Sequence, residues 1–187
     1  MKQQIKTKSA IFPMPVLLIA TYNDDSSIDV MNAAWGMMID EEHIALNLSS
    51  SHKTVKNILK RKAFTVSVAT KQYVNEADYF GIVSNNTVLD KFAKSKLTAT
   101  KSNNIDAPII NEFKITMECE FVDFDESKFG AGVIGKIANV IAEDDVITNG
   151  NVDISKLNAI AYDPFTNGYY VVNERVGNAF KDGLKIK

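Results

Sequence analysis

Residues 115–121 of the stretch "ITMECEFVD" (115–123) alternate apolar and polar side chains without a break, and no other feature of the chain constrains its fold so tightly. A period of two puts successive side chains on opposite faces of a strand, and no helix accommodates it. The alternation predicts Ile115, Met117, Cys119 and Phe121 facing a core, with Thr116, Glu118 and Glu120 facing outward. Other segments have the same strand length. "PVLLIATY" (15–22) is a continuous apolar run ending in the turn signal "NDDSS", and "IDVMNAAWG" (28–36) reads as its returning hairpin partner. "HIALNLS" (43–49), "FTVSVAT" (64–70), "AGVIGKIANVIAE" (131–143), "AIAYDP" (159–164) and "YYVVNERV" (169–176) complete the strands. Gly132 and Gly135 suggest a bulge or a close backbone approach.

Helical periodicity is scarce by comparison. "KTVKNILKRK" (53–62) puts Val55, Ile58 and Leu59 on one face and lysines on the other, with Lys60, Arg61 and Lys62 at the negative end of the helix dipole. "VNEADYFGIVS" (74–84) and "LDKFAKS" (89–95) read as short helical turns, and "GNAFKDGLK" (177–185) as a terminal helix or tail. Seven or eight strands with few, short helices predict a mainly β protein, most simply a β-barrel. The 187 residues need no second domain, so residues 1–187 are expected to form one domain.

Composition narrows the function classes. A formal charge of −2 gives no basic excess for nucleic acid. No run approaches the ~20 apolar residues of a membrane helix, and the proline-interrupted "AIFPMPVLLIA" reads as a first core strand rather than a signal peptide. The single Cys119 excludes an intrachain disulfide and suits a reducing, cytoplasmic setting. The same cysteine, on an alternating strand, is most simply a core residue. His43 and His52 lack partners at metal-ligand spacing, so no metal site is expected. "SSSH" lacks the glycine-flanked setting of a nucleophile elbow, and "GAGVIG" lacks the helix that a dinucleotide loop requires. No general acid or base is identifiable.

Two stretches carry binding chemistry. In "NLSSSHKTVKNI" (47–58), three serines run into His52, Lys53 and Thr54 where an extended pattern becomes helical. Serine capping is the plain structural reading. Against it, Thr54 stands three residues after Ser51, where a capping box would place Glu or Gln. A lysine in a first helical turn also has the wrong charge for the dipole unless an anion neutralises it. Lys53, Thr54 and local N–H groups would then seat a phosphate, with Asn57 one turn on reaching a polyol. In "MNAAWG" (31–36), Asn32 is a polar insertion in a strand, Ala33 and Ala34 leave room, and Trp35 offers a flat face. Together they make a wall for a heteroaromatic ring.

These segments, together with "DYFGIVS", "DKF", "MECEF", "VIGKIANV" and "VGNAFKDG", resemble in order and spacing the flavin reductase-like proteins with an FMN-binding split barrel, the flavoredoxin-like branch above all. The resemblance covers nearly the whole chain. It implies a six-stranded split β-barrel with short flanking helices, a homodimer, and noncovalent FMN near the dimer interface. By position, Asn32, Ala33, Ala34 and Trp35 resemble the segment along the isoalloxazine. Ser49, Ser50 and Ser51 resemble the loop reaching its pyrimidine edge and ribityl chain. His52, Lys53 and Thr54 resemble the phosphate seat with Asn57 close by, and Lys91 resembles a second basic residue near the flavin. The implied activity is electron transfer from a reduced small-molecule or protein donor, NAD(P)H among them, to a flavin or other acceptor. A non-catalytic FMN electron carrier is the alternative. A pyridoxamine-phosphate oxidase-like enzyme would need an arginine-rich clamp that has no counterpart here. The chain departs from the family at one place. Many members that use a nicotinamide donor carry a histidine five residues before the glycine equivalent to Gly135, and here Gly130 stands there.

Overall fold

The computed structural model describes residues 1–6, 9–128 and 130–186. In its first half, β1 (Met14–Pro15), β2 (Leu17–Tyr22), β3 (Ile28–Ala33), β4 (Gly36–Met38) and β5 (His43–Leu46) precede helix α1 (Lys53–Arg61) and β6 (Ala63–Val68). Helices α2 (Val74–Ile82) and α3 (Lys91–Ser95) lead to β7 (Ala99–Lys101) and β8 (Pro108–Ile110), followed by the long pair β9 (Ile115–Asp125) and β10 (Gly132–Ala142). A small hairpin, β11 (Ile147–Thr148) and β12 (Asn151–Val152), then α4 (Ile154–Leu157), β13 (Ala159–Asp163) and β14 (Gly168–Val172) end the regular structure. Among the described residues, no helix is long and apolar enough to cross a membrane.

The main sheet runs β3-β2-β6-β9-β10-β5-β4, with every neighbour antiparallel. Its two edge strands, β3 and β4, are consecutive in the chain and separated only by Ala34 and Trp35. Two intervening residues span at most about 11 Å, so the sheet has to curl until its edges nearly meet. The result is a mainly β split barrel with short flanking helices. The split lies where Trp35 crosses, and β4 adds a short seventh strand to the six expected. "IDVMNAAWG" is therefore two strands rather than one, broken at Ala34.

Strand β2 shows why its sequence is apolar throughout. Leu17 and Ile19 join the barrel core with Leu46, Phe64, Val66 and Val133, and α1 adds Val55 and Ile58. Val16, Leu18 and Ala20 point the other way, into a second core with Val30, Phe80, Phe113 and Ile160. Both faces are buried, which erases alternation. Gly135 marks a register shift between β9 and β10, and a Cβ there would stand 2.4 Å from Phe64 Cζ. Gly132 has φ +73°, and a Cβ there would stand 2.2 Å from the Leu46 carbonyl oxygen. Gly132 is explained by close approach of the β5 end's backbone at positive φ, and Gly135 by room for the Phe64 ring.

The outward assignment of Thr116 and Glu118 is corrected, because each is only 1% exposed. The β7–β8 hairpin lies over that face. Thr65 Oγ1 donates to Pro108 O (2.6 Å), and Thr116 shares a hydrogen bond with Ser67 (2.7 Å). Glu118 accepts from Ser102 Oγ, from Asn104 Nδ2 (2.8 Å) and from Asn139 Nδ2 (2.6 Å). Burial pushes its pKa up, but these hydrogen bonds outweigh burial and hold the carboxyl below the ordinary glutamate value. A depressed folded pKa stabilises the native state at pH above the unfolded value of about 4.5, and that contribution is lost as pH falls through the folded value. Denaturant titrations should therefore show wild type more stable than Glu118→Gln at neutral pH, with the gap closing in acid. A gap that does not narrow as pH falls would contradict a charged Glu118.

Candidate flavin site

A cleft of about 370 Å³ opens beside the split and gathers residues from β3, the start of α1, the end of α2 and α3. Alternation along β3 turns Asp29, Met31 and Ala33 toward it, and the link residues Ala34 and Trp35 continue its wall. The α1 side supplies His52, Lys53 and Thr54, and α3 supplies Lys91. Trp35 also lines an adjoining apolar cleft with Ile11, Pro13 and Met37. Lys53 lines a polar cleft with Asp24, Asp25 and Asp90. Trp35 and Lys53 thus also border two different neighbouring clefts, one apolar and one that sets Lys53 among three carboxylates.

Helix α1 answers the capping question. Its N-cap is His52, which makes no side-chain cap hydrogen bond, and its first turn holds no acid. None of the three serines caps it. Ser49 Oγ instead donates to Glu126 Oε1 (2.9 Å), the Ser50 N–H donates to the same oxygen (2.8 Å), and the Ser51 N–H donates to Ser49 Oγ (3.2 Å). The bonds from Ser50 and Ser49 hold the Glu126 carboxyl below its ordinary range. The N-terminal end of α1 therefore keeps positive potential facing the cleft.

Of the expected residues, Asn32, Ala33, Ala34, Trp35, His52, Lys53, Thr54 and Lys91 come together around one cleft. The other four do not line it. Ser49 and Ser50 bond Glu126, on the β9–β10 connection, and Ser51 bonds Ser49. Asn57 is buried, with its amide donating to Thr21 Oγ1 (3.0 Å) and Asn23 Oδ1 (2.9 Å). The polar insertion at Asn32 also has a structural purpose: its amide donates to Ala77 O (2.9 Å) and ties β3 to α2.

Asp29, the end of α2 and the segment just after it, Gly81 to Asn85, line the cleft but were not expected. Asp29 had a visible signal, a carboxylate on the strand face shared by Met31 and Ala33. It is 1% exposed and accepts from Thr54 Oγ1 (2.5 Å). Burial raises its pKa, opposed by the Thr54 bond and by the charges of Lys91, Lys53 and His52. Lys91 is 2% exposed and donates from Nζ to Phe80 O (3.1 Å). Burial lowers its pKa, and Asp29 opposes that.

Residues 9–156 match the family model described as flavin reductase like domain. The chain belongs to that family. Among solved structures, this flavin reductase-like chain superimposes on the flavoredoxin of Desulfovibrio vulgaris (Miyazaki F) with a TM-score of 0.91 and 32% identity, covering 98% of this chain and 100% of that one. A flavoredoxin from Methanosarcina acetivorans gives a TM-score of 0.87 at 24% identity, over the full length of both. An FMN-binding domain of a flavin reductase-like enzyme from Shewanella baltica OS155 shares the fold at a TM-score of 0.78, 16% identity and 88% of each chain.

Proposed function

We propose that this chain is an FMN-dependent oxidoreductase of the flavoredoxin type, taking electrons from a reduced donor and passing them to a flavin or another acceptor. FMN is its cofactor. The observation that carries the reading is the arrangement of the cleft: an apolar wall with Trp35 on one side, the positive start of α1 with Lys53 on another, and polar side chains with them. FMN has those parts, a flat ring, an anionic phosphate and a polyol joining them. Met31, Ala33, Ala34 and Trp35 would hold the ring, while His52, Lys53 and the Thr54 N–H would hold the phosphate. FMN, when bound, supplies the redox chemistry, and the protein supplies orientation, electrostatics and water exclusion.

The alternative, a non-catalytic FMN carrier serving a protein partner, is favoured by one feature. A Cβ on Gly130 would stand 2.3 Å from the Asp125 carbonyl oxygen, so this loop is built for glycine where nicotinamide-using relatives resemble one another in carrying histidine. Steady-state assays with NADH and NADPH separate the two readings: sustained turnover makes the chain a reductase, and reduction by a protein donor alone makes it a carrier.

Trp35, Met37, Met38 and Ile39 are all at least 45% exposed, in one stretch next to the cleft. A second copy of the chain covering this apolar strip would also shield the ring side of the cleft. Light scattering is expected to show an FMN-loaded homodimer, and a stable, FMN-loaded monomer would remove this part of the reading.

A further inference from the structure

The segment that follows β14, residues 173–186, carries large apolar side chains that its own chain leaves uncovered. Val176 is 93% exposed, Phe180 99% and Leu184 56%. Phe180 also has φ +62°, a left-handed conformation that a bulky residue keeps only when its surroundings impose it. The hydrogen bonds of the segment are short-range. Arg175 donates to Gly177 O and Asn178 Oδ1, while the Asn178 N–H and Lys185 Nζ donate to Asp182. These bonds shape the segment and leave Val176 and Phe180 facing outward.

An apolar groove of about 450 Å³ lies on the same side of the molecule, lined by Ile11, Pro13, Met14, Trp35 and Met37 with smaller neighbours. Among the described residues, none of 173–186 lines it. Strand β1, which gives Met14 and Pro15 to the groove, pairs with β13, and β13 pairs with β14, the root of the segment. The Phe12 ring also meets Tyr170 of β14 edge-on at 5.7 Å. Root and groove are therefore neighbours. Across a two-fold axis on this side, an arm that leaves one protomer for its partner's groove is matched by one coming back. Charge agrees with this. The β4–β5 turn presents Asp40, Glu41 and Glu42, all exposed, and the segment carries Lys181 directly after Phe180.

We propose that residues 173–186 form an exchanged arm, in which Val176 and Phe180 of one protomer fill the groove beside Trp35 of its partner. This rests on the homodimer reading and names what covers the apolar strip. Ala34 and Trp35 line both the groove and the flavin cleft, so the partner's arm completes the wall behind the ring side of the cleft.

The test uses FMN-loaded protein and two single substitutions beside the contact, Met38→Cys and Lys181→Cys, both at exposed positions. Cys119 is buried and stays out of the reaction. The Met38→Cys protein is first treated with excess of a short bismaleimide, so that each copy carries one reactive end, and is then mixed with the Lys181→Cys protein under conditions that exchange subunits. A linked dimer on a denaturing gel is the expected result. In parallel, Val176→Ser combined with Phe180→Ser is expected to weaken the dimer about tenfold or more, read by sedimentation velocity on dilution. Both side chains are exposed in a single copy, so these substitutions leave the fold of each chain intact. No linked dimer, or a double variant that dimerises as tightly as wild type, would overturn the exchange. A chain carrying both cysteines that links only to itself would place the arm in its own groove and overturn it as well. Wild-type protein that stays monomeric sinks the homodimer reading itself, whereas a tight dimer indifferent to both tests sinks only the arm.

Discussion

Exchanging Lys53 for alanine is expected to weaken FMN binding by about 1.5–3 kcal/mol while leaving riboflavin affinity nearly unchanged. Lys53 opens α1, where no side chain caps the helix and no acid sits in the first turn. A lysine there opposes the helix dipole, so in the apoprotein it is slightly unfavourable. Once a phosphate arrives, the same charge and the free N–H groups act together. The two ligands differ only in that phosphate, so calorimetric titration with both isolates the contact. Apoprotein stability should be equal or slightly higher in the variant. Equal losses for FMN and riboflavin would make Lys53 a structural residue.

NADH and NADPH are expected to reduce the FMN-loaded protein slowly, while dithionite or a reduced protein donor does so readily. A nicotinamide ring has to be held within about 3–3.5 Å of its acceptor in a reactive alignment, and lost positioning costs on the order of 100-fold. Gly130 offers only backbone where a histidine would give a directional donor. Gly130→His is not expected to restore the activity by itself. The new Cβ would meet the carbonyl oxygen and side chain of Asp125 at 2.3–2.7 Å, so the loop would have to shift first. The readout is anaerobic, single-turnover flavin bleaching. Fast, saturable bleaching by NADH would show that the glycine loop is no obstacle and restore a conventional nicotinamide-dependent flavin reductase.

The strands were legible because their patterns are local: β2, β3 and β9 announce themselves by apolar runs and alternation. Which faces they bury is not local. Glu118 and Thr116 read as solvent-facing until the β7–β8 hairpin is placed over them, and that hairpin has no strong pattern of its own in "TATKSNNIDAPII". The site divides in the same way. Lys53 and Trp35 stood out because each breaks a local expectation of charge or size. The serine loop was misleading because its partner, Glu126, lies 76 residues away from Ser50 in sequence. Asp29 could have been noticed, since it shares a strand face with Met31 and Ala33. Its importance depends on Thr54 and Lys91, which only folding brings near.

The central claim is that this cleft holds FMN through one phosphate seat, and the most direct measurement is the identity of the flavin released when the purified protein is denatured. The expected result is a yellow protein that releases FMN, with no FAD. Colourless protein that takes up no added FMN, or release of FAD alone, would contradict the account.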